Sequence, residues 1–227
     1  MIEFATIKTS IKGDKPVNQD AILTYENDDL IVLALADGLG SATHSDKGSF
    51  AICRSVIENV KIALRTSSPL SGTDILNYWD TMLRVRGFNP RDCMTTSSFA
   101  VINKQNKKVT TAQIGDSQIY LIVDGKLIYT TKEKDFANIT ECLNPSNVVK
   151  YDVNSVHFEN SIRVLIASDG ICDEIDPNAV PEMTDYLIER YSSIPIKKRN
   201  LALSGEVRRS FSKRNSDDKS IIFFWNE

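Results

Sequence analysis

Leu30-Ile31-Val32-Leu33-Ala34-Leu35-Ala36-Asp37-Gly38-Leu39-Gly40-Ser41-Ala42 is the stretch that decides how this chain folds. Leu30 to Ala36 is seven apolar residues without a charge, rich in Leu, Ile and Val, and reads as a strand buried on both faces. The run stops abruptly at Asp37-Gly38. A carboxylate buried at the end of such a strand is costly unless a cation or several donors compensate it, so Asp37 needs a partner. The glycines beside it allow tight turns and leave carbonyls uncovered. The chain repeats the device where Val164-Leu165-Ile166-Ala167 runs into Ser168-Asp169-Gly170. Two buried strands, each ending in Asp-Gly, predict two carboxylates converging on one place.

Upstream, Ile2 to Lys8 reads as a strand, followed by a polar turn around Gly13-Asp14-Lys15-Pro16. Asn18-Gln19-Asp20 then precedes a strand from Ala21 to Tyr25. Glu26 to Asp29 is a hairpin turn, so Leu30 to Ala36 returns antiparallel to that strand. The pairing places Asp20 at the start of one strand beside Asp37 at the end of its partner.

Downstream, Phe50, Cys53, Val56, Ile57, Val60 and Leu64 form one apolar stripe on a helix from about Ser45 to Arg65, with Ser45 as its N-cap. A second helix starts near Thr73 and buries Ile75, Leu76, Trp79, Met82 and Leu83. From Thr95 the period turns strand-like. Ser97 to Asn103 and Lys108 to Ile114 flank the turn Lys104 to Lys107, and Gln118 to Val123 pairs with Lys126 to Thr130 around Asp124-Gly125. Gly115-Asp116-Ser117 is a third Asp-bearing turn, lying between these hairpins. Thr131 to Phe158 is irregular, containing Lys132-Glu133-Lys134-Asp135, Asn144-Pro145-Ser146-Asn147 and strand pattern from Val148 to Phe158, and reads as a lid or substrate-facing flap. Helices over about Pro181 to Tyr191 and Pro195 to Arg214 precede a last strand, Ser220 to Trp225.

Hairpins interrupted by pairs of helices give an α+β fold, an antiparallel β-sandwich whose sheets are covered by helices on their outer faces. Nothing in the pattern marks a domain boundary, so residues 1–227 are expected to form one domain.

Composition narrows the function. A net charge of −3 argues against a nucleic-acid platform, which carries a basic face. No run of about 18 apolar residues is present and Met1-Ile2-Glu3-Phe4 opens no secretion signal, so the reading is a cytoplasmic protein without a membrane partner. The four cysteines are widely separated, and neither His44 nor His157 stands at zinc-ligand spacing, so buried reduced thiols are expected. No cysteine is followed six residues later by arginine, which removes the cysteine-dependent phosphatase loop. P-loop, nucleophile-elbow and dinucleotide fingerprints are likewise missing. Lys197-Lys198-Arg199 and Arg208-Arg209 read as a solvated helix face.

What remains is carboxylates. Asp20, Asp37, Asp116, Asp169 and Asp217 each lie at a strand end or in a turn beside one. Any single one is a turn former or cap as readily as a ligand. As a group of hard oxygen donors without His or Cys they suit Mg²⁺ or Mn²⁺. Two such ions about 3.5 to 4 Å apart can share a water, lower its pKa and hold a phosphoryl group for in-line attack.

Asn18-Gln19-Asp20-Ala21, Ala36-Asp37-Gly38-Leu39-Gly40, Thr95-Thr96-Ser97, Ile114-Gly115-Asp116-Ser117-Gln118, Ala167-Ser168-Asp169-Gly170 and Asp217-Asp218-Lys219-Ser220 together resemble the ordered motifs of metal-dependent serine/threonine phosphatases of the 2C type. The resemblance runs from about residue 10 to the C-terminus and implies a β-sandwich flanked by helices, four layers in the order αββα. It further implies that Asp37 bridges two Mn²⁺ or Mg²⁺ ions and Gly38 offers its carbonyl to one. Asp169 and Asp217 would complete the first ion's shell, Asp20 would act through or beside its waters with Gln19 behind it, and Asp116 would hold a weaker third ion with Asp169. A water between the two main ions would attack phosphorus. The implied substrate is a phosphoserine or phosphothreonine protein, phosphorylated by a separate kinase.

Three departures stand out. Lys15 occupies the place where the family has an arginine that grips the substrate phosphate, and lysine supplies charge without the planar fork. Leu39 follows Asp37-Gly38 where many eukaryotic members have histidine, and His44 reads as an exposed loop residue. The interval from Asp116 to Asp169 is also short for the family, implying a reduced flap. An enzyme is the first reading; the alternative is a pseudophosphatase, a regulatory or binding module on the same fold.

Overall fold

Strand Leu30–Ala36 (β3) is buried along its whole length because its two faces enter two different cores. Ile31, Leu33 and Leu35 point into one apolar cluster, and Leu30, Val32, Ala34 and Ala36 into another. This is the period-two alternation of a strand whose every position must be apolar. The structure is a computed structural model that describes residues 4–130, 141–145, 150–211 and 214–226.

Around β3 lies a five-stranded antiparallel sheet in the order β2 (Ala21–Glu26), β3, β4 (Ser97–Asn103), β5 (Lys108–Ile114), β8 (Asp152–His157). A second antiparallel sheet runs β1 (Phe4–Ile11), β10 (Lys219–Asn226), β9 (Ile162–Ala167), β6 (Gln118–Val123), β7 (Lys126–Thr130). Between the sheets pack Leu33, Leu35, Ile102, Leu121, Val164, Ile166, Ile222 and Phe224. Helices α1 (Ser45–Thr66) and α2 (Gly72–Val85) cover the outer face of the first sheet. Helices α4 (Val180–Ser192) and α5 (Ile196–Phe211), with the short α3 (Asp169–Cys172), cover the outer face of the second. The α+β sandwich flanked by helices is the architecture expected from the hairpin and stripe patterns.

The hairpins fall where the turn chemistry puts them. Asn103 pairs with Lys108 and Val123 with Lys126. Asp124 and Gly125 carry φ of 48° and 79°, the double left-handed turn that Asp-Gly favours. In the β2–β3 hairpin Ala21 pairs with Ala36, so Asp20 and Asp37 flank the same rung.

Several expectations need correction. Ser45 is the first residue of α1 rather than its cap; His44 holds the cap position, and the buried Ser45 Oγ has no partner among the described residues. Phe50 leaves the apolar stripe and is 43% exposed, because it sits on the flank of α1 beside α2 rather than over the sheet. Helix α5 is shorter than predicted, and the turn at Asp169–Cys172 is a short helix the sequence reading missed. Arg199 is no solvated charge: it lies over the Trp225 ring and donates to the Ile194 and Ser192 carbonyls, while Lys197, Lys198, Arg208 and Arg209 are exposed. All the cysteines are free, with Cys53, Cys93 and Cys172 buried and Cys142 half-buried. The predicted strand positions Ile2 and Glu3, and Lys132-Glu133-Lys134-Asp135 and Ser146-Asn147 of the predicted flap, lie outside the described residues.

Candidate active site

The ends of β3 and β9 belong to different sheets, and the sandwich brings them together. Asp37, at the end of β3, is anchored through its backbone: its N–H donates to Thr96 Oγ1 (2.8 Å), and its carbonyl accepts from Thr95 Oγ1 (2.8 Å) and the Thr96 amide (2.8 Å). Those bonds fix the turn while leaving the carboxylate to face inward. Asp169, opening α3 after β9, meets it there, so the predicted convergence of the two Asp-Gly ends is present.

Asp20 joins them from the start of β2. One of its oxygens accepts from Ser168 Oγ at 2.9 Å; the other, Oδ1, is buried without a partner among the described residues. Asp169 Oδ1 and Gln19 Oε1 are in the same condition. Buried acceptors left unpaired are expensive, and the Asp20 and Asp169 carboxylates are close enough to act on each other.

The electrostatics record that conflict. Burial pushes the Asp20 carboxyl up to about 7, against the pull of the Ser220 and Ser168 hydroxyls and with the help of the Asp218 and Asp169 charges. Asp37 is held well above the usual carboxylate range by burial, then by the charges of Asp20 and Asp169 and by carboxyl contact with Asp169. Asp169 is raised, chiefly by burial.

Asp217 lies across the site and acts on both Asp37 and Asp169. Its Oδ1 accepts from the Lys15 ammonium at 2.7 Å. Lys15 thus enters the site, though its partner is Asp217. Its pKa is raised: burial pulls it down, and the Asp217 bond together with the charges of Asp217, Asp37 and Asp218 prevails. Asp116, in the turn joining β5 to β6, also acts on Asp169 through its charge. Gly115 before it has φ of 108° and leaves no room for a side chain, since a Cβ would stand 2.5 Å from Thr96 Cγ2. His44 is exposed against Phe88 and takes no part.

Two residues of the quoted motifs carry more than the sequence reading gave them. Asp218 is buried and binds backbone on the β1–β2 connection. Lys219 is buried too, its ammonium donating to the Asn215 carbonyl (3.0 Å), Asn215 Oδ1 (3.0 Å) and the Asp217 carbonyl (2.7 Å), which shapes the turn presenting Asp217. A polar motif residue next to an all-apolar strand was the available signal for both.

Among the described residues no three His, Cys, Asp or Glu side chains already form a closed ligand set. The donors nevertheless fit a hard divalent cation. They are oxygens only, two of the carboxylate oxygens are buried without a partner among the described residues, and the Lys15 ammonium offsets a fraction of the charge. Gly38 fits as well: a Cβ there would stand 2.6 Å from the Gln19 carbonyl, so the turn is stripped to backbone beside the cluster.

Comparison with known proteins bears on this site. A family model described as protein phosphatase 2C matches residues 9–203. RsbX crystallised with magnesium is 17% identical, with 100% of each chain covered, at a TM-score of 0.67. The catalytic domain of the serine/threonine protein phosphatase PstP, in complex with two manganese ions, is 17% identical over 100% of this chain and 99% of that one, at a TM-score of 0.67. The serine/threonine phosphatase of S. agalactiae is 14% identical over 99% of both chains, at a TM-score of 0.63. At these identities the likeness is one of fold. No curated protein sequence matches the chain.

Proposed function

The chain belongs to the protein phosphatase 2C family, a family of protein serine/threonine phosphatases, and from that premise we propose a metal-dependent phosphoprotein phosphatase acting on phosphoserine and phosphothreonine. The observation that carries the proposal is the meeting of Asp20, Asp37 and Asp169 between two sheets, with one buried oxygen each of Asp20 and Asp169 unpaired among the described residues. A site that costs this much without a cation is explained by one that takes cations.

Asp37, Asp169 and Asp217, with the Gly38 carbonyl, would hold two Mn²⁺ or Mg²⁺ ions, and Asp116 with Asp169 a third. Bound there, the ions supply the positive charge that activates a water and offsets the phosphoryl oxygens. Asp20, steadied by Ser168, keeps one oxygen to accept a hydrogen bond from solvent in the site. Lys15 brings the charge for the substrate phosphate as a point ammonium rather than a fork. We place the enzyme in the cytoplasm, opposite a separate kinase; among the described residues no helix is long and apolar enough to cross a membrane.

A second reading, a pseudophosphatase serving as a regulatory or binding module, is favoured by one observation: Lys15 already neutralises Asp217. Hydrolysis of a phosphothreonine peptide and of para-nitrophenyl phosphate, with Mn²⁺ against chelator, separates the two. Metal-dependent turnover lost in Asp37→Asn and Asp169→Asn supports the enzyme. A folded protein without turnover on either substrate sinks it.

A further inference from the structure

We propose that Asp218 is a positioning residue that grips both ends of the β1–β2 connection and thereby sets the places of Lys15, Asp20 and Gly38. What those three do rests on the phosphatase reading; the grip itself does not.

Asp218 is 1% exposed. Its Oδ1 accepts the Gly13 N–H at 2.7 Å and its Oδ2 the Gln19 N–H at 2.7 Å. Lys15 lies inside the segment bracketed by these two amides, and Asp20 follows it directly. A carboxylate bonded to backbone N–H groups makes short, charge-assisted bonds, roughly twice as strong as neutral ones. The connection is seated on the opposite chain end as well. The Asp14 N–H donates to the Ser216 carbonyl at 2.9 Å, and a Cβ on Gly13 would stand 2.2 Å from that same oxygen.

The grip reaches Gly38 through one peptide. The Gln19 carbonyl accepts the Gly38 N–H at 3.1 Å and Ser49 Oγ–H at 2.6 Å. Asp218 holds the N–H of Gln19, and that residue's carbonyl holds the turn after Asp37. A single buried carboxylate therefore ties the last strand to the glycine turn of β3.

Both oxygens must accept for this to work. In Asp218→Asn the volume is kept but one oxygen becomes an NH₂ group facing a backbone N–H, so one end of the connection is released.

Residue-resolved amide hydrogen exchange in chelator tests the grip without metal or substrate. In the unaltered protein the Gly13 and Gln19 amides, although outside the strands, should exchange as slowly as those of β1. Fast exchange there overturns the proposal, whatever any variant does. In Asp218→Asn those two amides should speed up at least about tenfold while β3 and β9 keep their protection, and Mn²⁺ affinity by calorimetry should fall about tenfold. Unchanged Gly13 and Gln19 exchange, or unchanged Mn²⁺ affinity with the loop loosened, overturns it. If the unaltered protein shows the slow amides but no turnover, the phosphatase reading falls and the grip stands.

Discussion

Lys15 Nζ lies 2.7 Å from Asp217 Oδ1, so the cation expected at the substrate phosphate is tied to a carboxylate expected at the metal. The two roles compete. In Lys15→Met, Asp217 loses its ammonium partner and Mn²⁺ affinity should rise by about two- to fivefold, a modest gain because the ion pair is a third exposed. Inhibition by inorganic phosphate should weaken in the same variant. Lys15→Arg should strengthen it, because a guanidinium can hold two oxygens at once. Calorimetric Mn²⁺ titration and phosphate inhibition read both effects; a Lys15→Met protein unchanged in both would remove Lys15 from the site.

Stability of the metal-free protein should fall as pH rises. Asp20 is pushed up to about 7, and Asp37 and Asp169 are raised, each by burial first. An acid that holds its proton more tightly when folded stabilises the fold fully below its unfolded value, and that contribution disappears as pH climbs through the folded value. In chelator, Tm should drop by roughly 5 to 10 °C between pH 5 and pH 8. Mn²⁺ should restore it at pH 8 and matter less at pH 5, where Asp20 keeps its proton. A Tm in chelator that is flat or rises over this range would show that the cluster is compensated without a cation.

Asp37→Asn should stabilise the metal-free protein while removing its response to metal. The substitution removes a charge opposed by burial and by Asp20 and Asp169, and leaves intact the backbone bonds to Thr95 and Thr96. At pH 8 in chelator a gain of about 1 to 2 kcal/mol is expected. Added Mn²⁺ should raise the variant's Tm by less than half of what it gives the unaltered protein. A variant less stable than its parent in chelator would mean that the Asp37 charge already has a partner.

The fold was largely legible because its decisive signals are local. Seven apolar residues ending in Asp-Gly have one economical reading, and Asp124-Gly125 dictates its hairpin through backbone sterics alone. The meeting of Asp37 and Asp169 was legible for the same reason, since both end buried strands. What stayed hidden depends on bonds between residues remote in sequence. Asp218 and Gln19 are at opposite ends of the chain, and nothing near either one announces the other. Phe50 went astray because helical spacing gives a stripe but not where the sheet beneath it ends. The Lys15 bond to Asp217 was hidden in the same way: sequence alignment with a motif assigns a position, whereas the partner depends on the fold.

Gly38 and Gly40 stand two residues apart in one turn and should respond very differently to a methyl group. A Cβ on Gly38 would stand 2.6 Å from the Gln19 carbonyl and 2.8 Å from Ser45 Cβ, and neither backbone nor a helix start can step aside cheaply. A Cβ on Gly40 would meet only the end of Lys15, at 3.8 Å from Nζ. Gly38→Ala should therefore cost about 1 to 3 kcal/mol of stability and push the Gln19 peptide away, lowering Mn²⁺ affinity with it. Gly40→Ala should stay within about 0.5 kcal/mol of the parent. Paired denaturant melts in chelator, followed by Mn²⁺ titration, compare them directly. Equal midpoints for the two variants would show that the turn after β3 can move, and would leave the stripped backbone beside Asp37 without a steric reason.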